Sequence, residues 1–334
     1  MNFNKLHRAF IVAEIGVNHE GAEDVAADLI RKAAKAGADA VKFQTYEPRH
    51  YVSSEQPERL ERVTRFCLSR DAFRRLAKMA NAAGVMFFST PLGLADVDFL
   101  DEIAPIFKIS SGDLTFLDLI RHVAAKGRPT IVSTGLGTEA EVAAAVEAVL
   151  SVRPAAATDG SLLLMHCVSA YPTEPEDANI RNMLWLRERF HLPVGYSDHT
   201  LGIKACELAV AAGAVAVEKH FTYRKEDQAF HDHKLSADPA DMTALVAAVR
   251  QAEVYLGRAE RRRTEAETKM EAHMRRSLAA AVDIPAGRPV QREWLTWVRP
   301  AWGLGPDRIG DVVGKALNKP LKAGQLVRAE DLAK

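Results

Sequence analysis

Three groups of residues in this chain of 334 residues have types and spacings that could do chemistry. The first is Glu14, which ends a short apolar run and is followed by Gly16, Asn18 and His19. A carboxylate so close to apolar sequence is costly to desolvate unless it has a partner or a role. The second is a pair of lysines inside apolar runs, Lys42 in Ala40-Val41-Lys42-Phe43-Gln44 and Lys108 in Ile106-Phe107-Lys108-Ile109-Ser110-Ser111. Burying two ammonium groups is expensive, and a phosphate or carboxylate ligand would offset that cost. The alternative turns both side chains outward, where their long stems would reach solvent between helices.

The third group is Ser197-Asp198-His199-Thr200 with Glu218-Lys219-His220. Each closes a short β-rich run, and adjacent strands lie about 4.8 Å apart, so two imidazoles at one height could share a divalent ion. Two protein nitrogens with open positions suit Mn²⁺ or Mg²⁺ rather than a closed structural zinc site. A hydrogen-bonded histidine pair without metal is the other reading. Hydroxyls recur at the same level, at Thr90, Ser111, Ser133, Thr134 and Ser197, and the turn from Ser133 to Gly137 offers backbone N–H groups to an anion. His231, Asp232 and His233 are either further ligands or a polar surface loop.

Positioning these groups requires a scaffold, and the first two hundred residues supply a repeated phrase of amphipathic helix, glycine and short strand. Helical stripes ending at Gly37, Gly84, Gly127 and Gly213 each precede a β-rich run that finishes on polar residues. The expected strands are 9–13, 38–43, 85–88, 106–109, 130–132, 162–165, 194–196 and 214–217. Thr138 and Glu141 form a capping box for the helix carrying Val142, Val146 and Val149, and Asp238-Pro239 opens a last helix. Such alternation predicts a closed barrel or an open doubly wound sheet, with ligands at the carboxyl ends of the strands in both. Polar residues at all eight strand ends favour the (β/α)8 TIM barrel, over residues 1–257. Residues 258–276 read as a charged linker, and 277–334 as a small β-rich domain punctuated by Pro and Gly.

Composition sets the outer bounds. Hydrophobic residues at 48% and charged residues at 26% describe a chain able to bury a full core. Basic and acidic side chains balance at 44 each, so no global field is present to hold nucleic acid or an anionic membrane surface. Cys67, Cys167 and Cys206 are too scattered for a metal cluster and read as buried thiols in a reducing compartment. No segment approaches about 18 uninterrupted apolar residues, so a cytoplasmic location is expected.

Taken in order, Glu14-Ile15-Gly16-Val17-Asn18-His19, Val41-Lys42-Phe43-Gln44-Thr45, Phe88-Ser89-Thr90-Pro91, Lys108-Ile109-Ser110-Ser111-Gly112, Ser133-Thr134-Gly135, His166-Cys167-Val168-Ser169-Ala170-Tyr171-Pro172-Thr173, Gly195-Tyr196-Ser197-Asp198-His199-Thr200 and Glu218-Lys219-His220-Phe221-Thr222 resemble the motifs of the sialic acid synthases. Arg275-Arg276-Ser277-Leu278 through Val298-Arg299-Pro300 to Gly314 is similar to that family's antifreeze-like (SAF) domain. The resemblance implies a synthase that condenses phosphoenolpyruvate with an N-acylated amino sugar, releasing phosphate. The sugar would be N-acetylmannosamine or a 2,4-diacetamido-trideoxyhexose, and the product N-acetylneuraminate, legionaminate or pseudaminate. It further implies Mn²⁺ or Mg²⁺ on His199 and His220, and phosphoenolpyruvate on Lys42, Thr90, Lys108, Ser111, Ser133 and Ser197. The sugar would meet Gln44, Tyr171 and Asp232, with Asp113 and Ser169 at neighbouring positions, and Glu14 and Glu218 would be catalytic. Arg299 would reach the N-acyl group in a partner subunit's site, which implies a domain-exchanged homodimer.

The chain departs from the family pattern near the sugar. Asp113 stands where glutamate is frequent, Ser169 where some members carry asparagine, Ala229-Phe230-His231 where a Gly-Pro run is usual, and Pro300-Ala301-Trp302-Gly303 where Gly-Asn-Gly is more usual. Which sugar is used therefore stays open. A metal-dependent barrel hydrolase would also place histidines at strand ends, though it has no use for two strand lysines; a non-catalytic carbohydrate-binding homologue is the remaining alternative.

Overall fold

The computed structural model describes residues 1–226, Phe230 and residues 232–333, divided into a unit spanning Met1–Gly257 and a second spanning Arg258–Lys334. The first unit is built on β1 (Phe10–Gly16), β2 (Ala40–Thr45), β3 (Met86–Pro91), β4 (Phe107–Ile109), β5 (Thr130–Ser133), β6 (Leu162–His166), β7 (Val194–Asp198) and β8 (Ala216–His220). These form one parallel sheet in the order β3-β2-β1-β8-β7-β6-β5-β4, and β4 lies beside β3 without a hydrogen-bonded ladder between them. The sheet is thus a barrel with one unladdered seam.

The strands are buried on both faces because helices cover the outside. On the Glu23–Ala36 helix, Ala26, Leu29, Ile30 and Ala33 form the inward stripe, and each buried Leu or Ile contributes about 1.5–3 kcal/mol of transfer free energy. The capping boxes at Thr138–Glu141 and Asp238–Asp241 are formed as expected. Every expected strand is present, and most run one to three residues past their last apolar position. Glu14, Gln44, Thr90, Ser133, Asp198 and His220 therefore lie within ladders.

Two features differ from expectation. Between β2 and the Arg70–Ala82 helix the chain forms two further helices, Pro48–Tyr51 and Pro57–Phe66. Their sequence is too charged to announce a core-facing stripe. Cys167 and Cys206 are buried free thiols, but Cys67 is only partly buried because it ends the Pro57–Phe66 helix, where its thiol donates to the Tyr46 carbonyl at 3.4 Å.

In the second unit, β9 (Ser277–Ala280) pairs antiparallel with β10 (Leu295–Val298), around a core of Leu278, Ile284, Val290, Leu295, Val312, Leu317, Leu321 and Val327. Residues 265–274 are helical, opened by a Thr264–Glu267 capping box. The Ala301 N–H donates to the Ala272 carbonyl at 2.7 Å, tying this helix to the loop after β10. Among the described residues, no helix is long and apolar enough to cross a membrane.

Candidate active site

Strand register brings the chemistry together. Glu14 is the Cα partner of Lys42 on one side and of His220 on the other, while Ser197 faces Glu218 across β7 and β8. Side chains alternate along a strand. Ser197 and His199, with Glu218 and His220, therefore point into the barrel, and Asp198 and Lys219 point out beneath the helices. Inside, Lys42 Nζ lies 2.7 Å from Glu14 Oε2 and 3.6 Å from Glu218 Oε1. Lys108 Nζ donates to Glu218 Oε2 at 2.7 Å, and the Ser197 hydroxyl donates to Glu218 Oε1 at 3.0 Å. Lys42 also donates to Thr90 Oγ1 at 3.3 Å.

This geometry excludes the outward-pointing reading of the lysines and places two carboxylates of the chain itself beside them. Glu14, Lys42, Glu218 and Lys108 are at most 5% exposed and form a compensated row of two carboxylates and two ammonium groups. The two acids differ. Burial raises Glu14 to about 7, outweighing Lys42, and the charge of Glu218 adds to the rise. Burial acts on Glu218 as well, but there Lys108 and then Lys42 overcome it and hold the carboxyl down at about 2. One acid thus titrates near neutrality while its neighbour stays ionised.

The rings of His199 and His220 lie 5.6 Å apart, and burial lowers the pKa of both, so both offer neutral nitrogens. His199 Nδ1 is 2.6 Å from the Val168 carbonyl, a contact that fixes Nδ1 as the protonated nitrogen. His220 Nδ1 is buried without a hydrogen-bond partner. An orphaned imidazole nitrogen beside a tautomer-locked one is a donor set that a divalent ion would satisfy. Among the described residues, no three His, Cys, Asp or Glu side chains gather into a larger ligand set.

These groups share a cavity of about 490 Å³. Gln44, Thr90, Ser111, Ser133, Ser169, Tyr171, Ser197 and Asp232 all line it, as do Glu14, Lys42, Lys108, Glu218 and the two histidines. Gly135 keeps it open: a Cβ there would stand 2.6 Å from Ser169 Oγ and 2.7 Å from Ser111 Oγ. Asp113 is not on the wall, because its carboxylate accepts the Ser110 hydroxyl within the short turn that follows β4. Arg299 belongs to the second unit, where its Nε donates to the Met274 carbonyl at 2.7 Å. Of the loop after β8, Asp232 and the buried His233 are described, and Ala229 and His231 lie outside the described residues. Sequence reasoning missed Tyr46, Tyr51, Arg59, Arg62 and Phe66 on the cavity wall. The spacing of Arg59, Arg62, Val63 and Phe66 along one helical face was the available signal.

A profile of the NeuB family matches residues 29–261, and one of the SAF domain matches residues 275–333. The chain belongs to the NeuB family. This NeuB-family chain is 38% identical over 329 residues to the N,N'-diacetyllegionaminic acid synthase of Legionella pneumophila, covering 94% of this chain and 92% of the relative. It is 35% identical over 344 residues to a pseudaminic acid synthase of Campylobacter jejuni, covering 99% and 98%. Among solved structures, the N-acetylneuraminic acid (sialic acid) synthetase of Leptospira borgpetersenii in complex with citrate is similar with a TM-score of 0.74 and 32% identity, over 78% of this chain and 90% of that one. The NeuB match bears out the resemblance to the sialic acid synthases, and the SAF match that of the C-terminal residues.

Proposed function

We propose that this NeuB-family chain is a metal-dependent nonulosonic acid synthase that joins phosphoenolpyruvate to the open-chain aldehyde of an N-acylated amino sugar. The observation that carries the reading is the buried row of Glu14, Lys42, Glu218 and Lys108 beside the paired imidazoles of His199 and His220. Its ammonium groups fit an anionic substrate, and its two acids are tuned apart as acid–base chemistry requires. The names of the relatives support N-acetylmannosamine or a diacetamido sugar as the acceptor.

His199 and His220 would hold the ion, and Mn²⁺ or Mg²⁺ bound there would act as a Lewis acid on the acceptor carbonyl. Lys42 and Lys108, with the hydroxyls of Thr90, Ser111, Ser133 and Ser197, bind and orient phosphoenolpyruvate so that its C3 faces the aldehyde carbon. Once the C–C bond has formed, C2 is cationic, and ionised Glu218 stabilises that charge. Water then adds to C2 and Glu14 takes one of its protons, the former aldehyde oxygen gains a proton to become a hydroxyl, and the tetrahedral carbon expels phosphate by C–O cleavage as its own hydroxyl proton leaves with the phosphate, giving a 2-keto acid. Gln44, Tyr171 and Asp232 orient the sugar, and Arg299 of a partner chain reaches its N-acyl group in a domain-exchanged dimer.

The experiment is to mix the protein with Mn²⁺, phosphoenolpyruvate and either N-acetylmannosamine or each of the two diacetamido isomers that lead to legionaminate and pseudaminate. Phosphate should appear with at least one sugar and should stop on adding EDTA. Phosphate release unaffected by chelation would remove the metal from the reaction, and silence with every sugar would remove the synthase reading.

A further inference from the structure

Asp232 lines the cavity from the loop after β8, on the short helix Asp232–Leu235. A single helical turn does not hold its own position, so other contacts must. They come from the turn after β1. His233, the next residue, is 0% exposed and has both ring nitrogens engaged, Nδ1 at 2.7 Å from Thr222 Oγ1 and Nε2 at 3.1 Å from Glu20 Oε1. Burial lowers the pKa of the ring, and a neutral ring facing a carboxylate carries its proton on Nε2. Nδ1 then accepts from the Thr222 hydroxyl, whose proton is shared with the Arg224 carbonyl at 2.9 Å. Asn18 of the same turn donates to the Phe221 carbonyl at 2.9 Å and to Ser236 Oγ at 3.0 Å, and Ser236 Oγ donates to the Asp232 carbonyl at 2.6 Å. Glu20 has a φ of 48°, in the left-handed region where glycine is at ease. A glycine there would relax the backbone yet leave the buried Nε2 of His233 without its acceptor.

We infer that His233 is a positioning residue for the acceptor sugar: anchored by Glu20 and Thr222, it holds Asp232 at the cavity wall. This rests on the synthase reading, in which Asp232 orients the sugar, and adds the group that sets where Asp232 stands. His233 is not itself on the wall, so it acts through its neighbours. Phe230 is a second wall residue it supports, with its ring edge-on to the His233 ring at 6.2 Å and to that of Phe66, also on the wall, at 5.4 Å. A histidine kept only to fill the core would account for the burial. It would not account for two anchors, 213 and 11 residues away in the chain, that converge on the residue beside Asp232. The phosphoenolpyruvate groups do not depend on this loop, because Lys42, Lys108, Thr90, Ser133 and Ser197 stand on the strands themselves. A displaced Asp232 should therefore disturb the sugar and spare phosphoenolpyruvate.

The test is steady-state kinetics of the full chain with Mn²⁺, phosphoenolpyruvate and whichever of N-acetylmannosamine and the two diacetamido isomers the parent turns over best. In His233→Ala the KM for that sugar should rise about tenfold, as for the loss of one well-placed hydrogen bond, with kcat and the KM for phosphoenolpyruvate little changed. A purely structural role would do the reverse, since fewer active molecules lower kcat and leave KM alone. Asp232→Ala should raise the same KM, and D232A/H233A should be no worse than Asp232→Ala, because a group acting through Asp232 then has nothing to position. His233→Gln, whose amide offers one donor and one acceptor as the neutral ring does, should recover part of the sugar affinity. Glu20→Ala removes an anchor from a partly exposed position and carries the same expectation should His233→Ala not fold. An unchanged sugar KM in His233→Ala, Glu20→Ala or Asp232→Ala overturns the inference. So does an equal rise in the KM for phosphoenolpyruvate, or a double variant whose defect is the product of the two single ones. Absence of parent turnover with all three sugars would instead remove the synthase reading, and the role of His233 with it.

Discussion

Lys219 Nζ stands 2.9 Å from Asp198 Oδ2, with the two side chains 2% and 0% exposed, on the faces of β8 and β7 turned away from the cavity. Asp198 also accepts the Thr200 N–H at 2.9 Å, and Lys219 donates to the Thr200 carbonyl. Each partner of this pair directly precedes one of the two cavity histidines, so the pair fixes the height at which His199 and His220 leave their strands.

Removing one partner strands the other charge in the interior. Asp198→Ala should therefore cost about 3–5 kcal/mol in urea unfolding. Replacing both, as Asp198→Leu with Lys219→Met, removes the stranded charge and should recover much of that loss. If the pair positions the imidazoles, the double variant will fold yet bind Mn²⁺ more weakly than the parent in an EPR titration. Equal Mn²⁺ affinity would reduce the pair to a structural role.

Glu14 should set the pH dependence. With its carboxyl near 7 and its role that of a base, kcat/KM should rise with pH through about 7 and then level off. Glu14→Gln should lower turnover by about 10²- to 10⁴-fold, the usual contribution of a positioned acid or base, and flatten that limb. Binding of phosphoenolpyruvate, measured by calorimetry, should change little. A variant keeping both the limb and the rate would assign the proton to another group.

Much of this site could be read from the sequence because a parallel strand is short, buried on both faces and followed at once by its polar cap. Lys42 and Lys108 stood out as charges in apolar runs, and His199 and His220 as imidazoles at equivalent ends of neighbouring strands. What stayed hidden is three-dimensional pairing. Glu14 and Glu218 neutralise the lysines across β1, β2, β4 and β8, and separations of 28 to 176 residues carry no periodic signal. The Pro57–Phe66 helix was missed for a different reason: the face it turns to the cavity mixes Arg59 and Arg62 with Val63 and Phe66, so its apolar spacing is diluted by charge. Asp113 stays off the cavity wall because a local hydrogen bond from Ser110 holds its carboxylate.

The proposed exchange of Arg299 between chains has a consequence that stability measurements do not share. Arg299→Ala and His220→Ala should each be nearly inactive alone, one lacking the contact to the N-acyl group and the other a metal ligand. If the arginine acts across a dimer, mixing the two variants and allowing subunits to exchange pairs an intact barrel with an intact arm in one of the two sites. Activity should reappear on mixing. No recovery, with exchange verified by differently tagged chains, would place Arg299 in its own chain's site or outside the reaction.

His19 gives a prediction about acid stability. Its ring is 1% exposed and 5.9 Å from Phe43, Nδ1 accepts the Gly21 N–H at 3.1 Å, and Nε2 is buried without a partner. Burial lowers its pKa from 6.5 to about 4. Between those values the unfolded chain binds a proton that the folded one refuses, so stability falls as pH drops, by up to about 1.4 kcal/mol per pH unit for this group. Above about 6.5 both states are neutral there and the slope vanishes. His19→Asn keeps an acceptor for Gly21 but cannot titrate, so its urea midpoint should drop less than the parent's between pH 7 and pH 5. The slope will shrink rather than disappear, because His166, His199, His220 and His233 are also lowered by burial. Identical drops in parent and variant would mean that His19 is protonated in the folded protein with a partner the buried ring does not show.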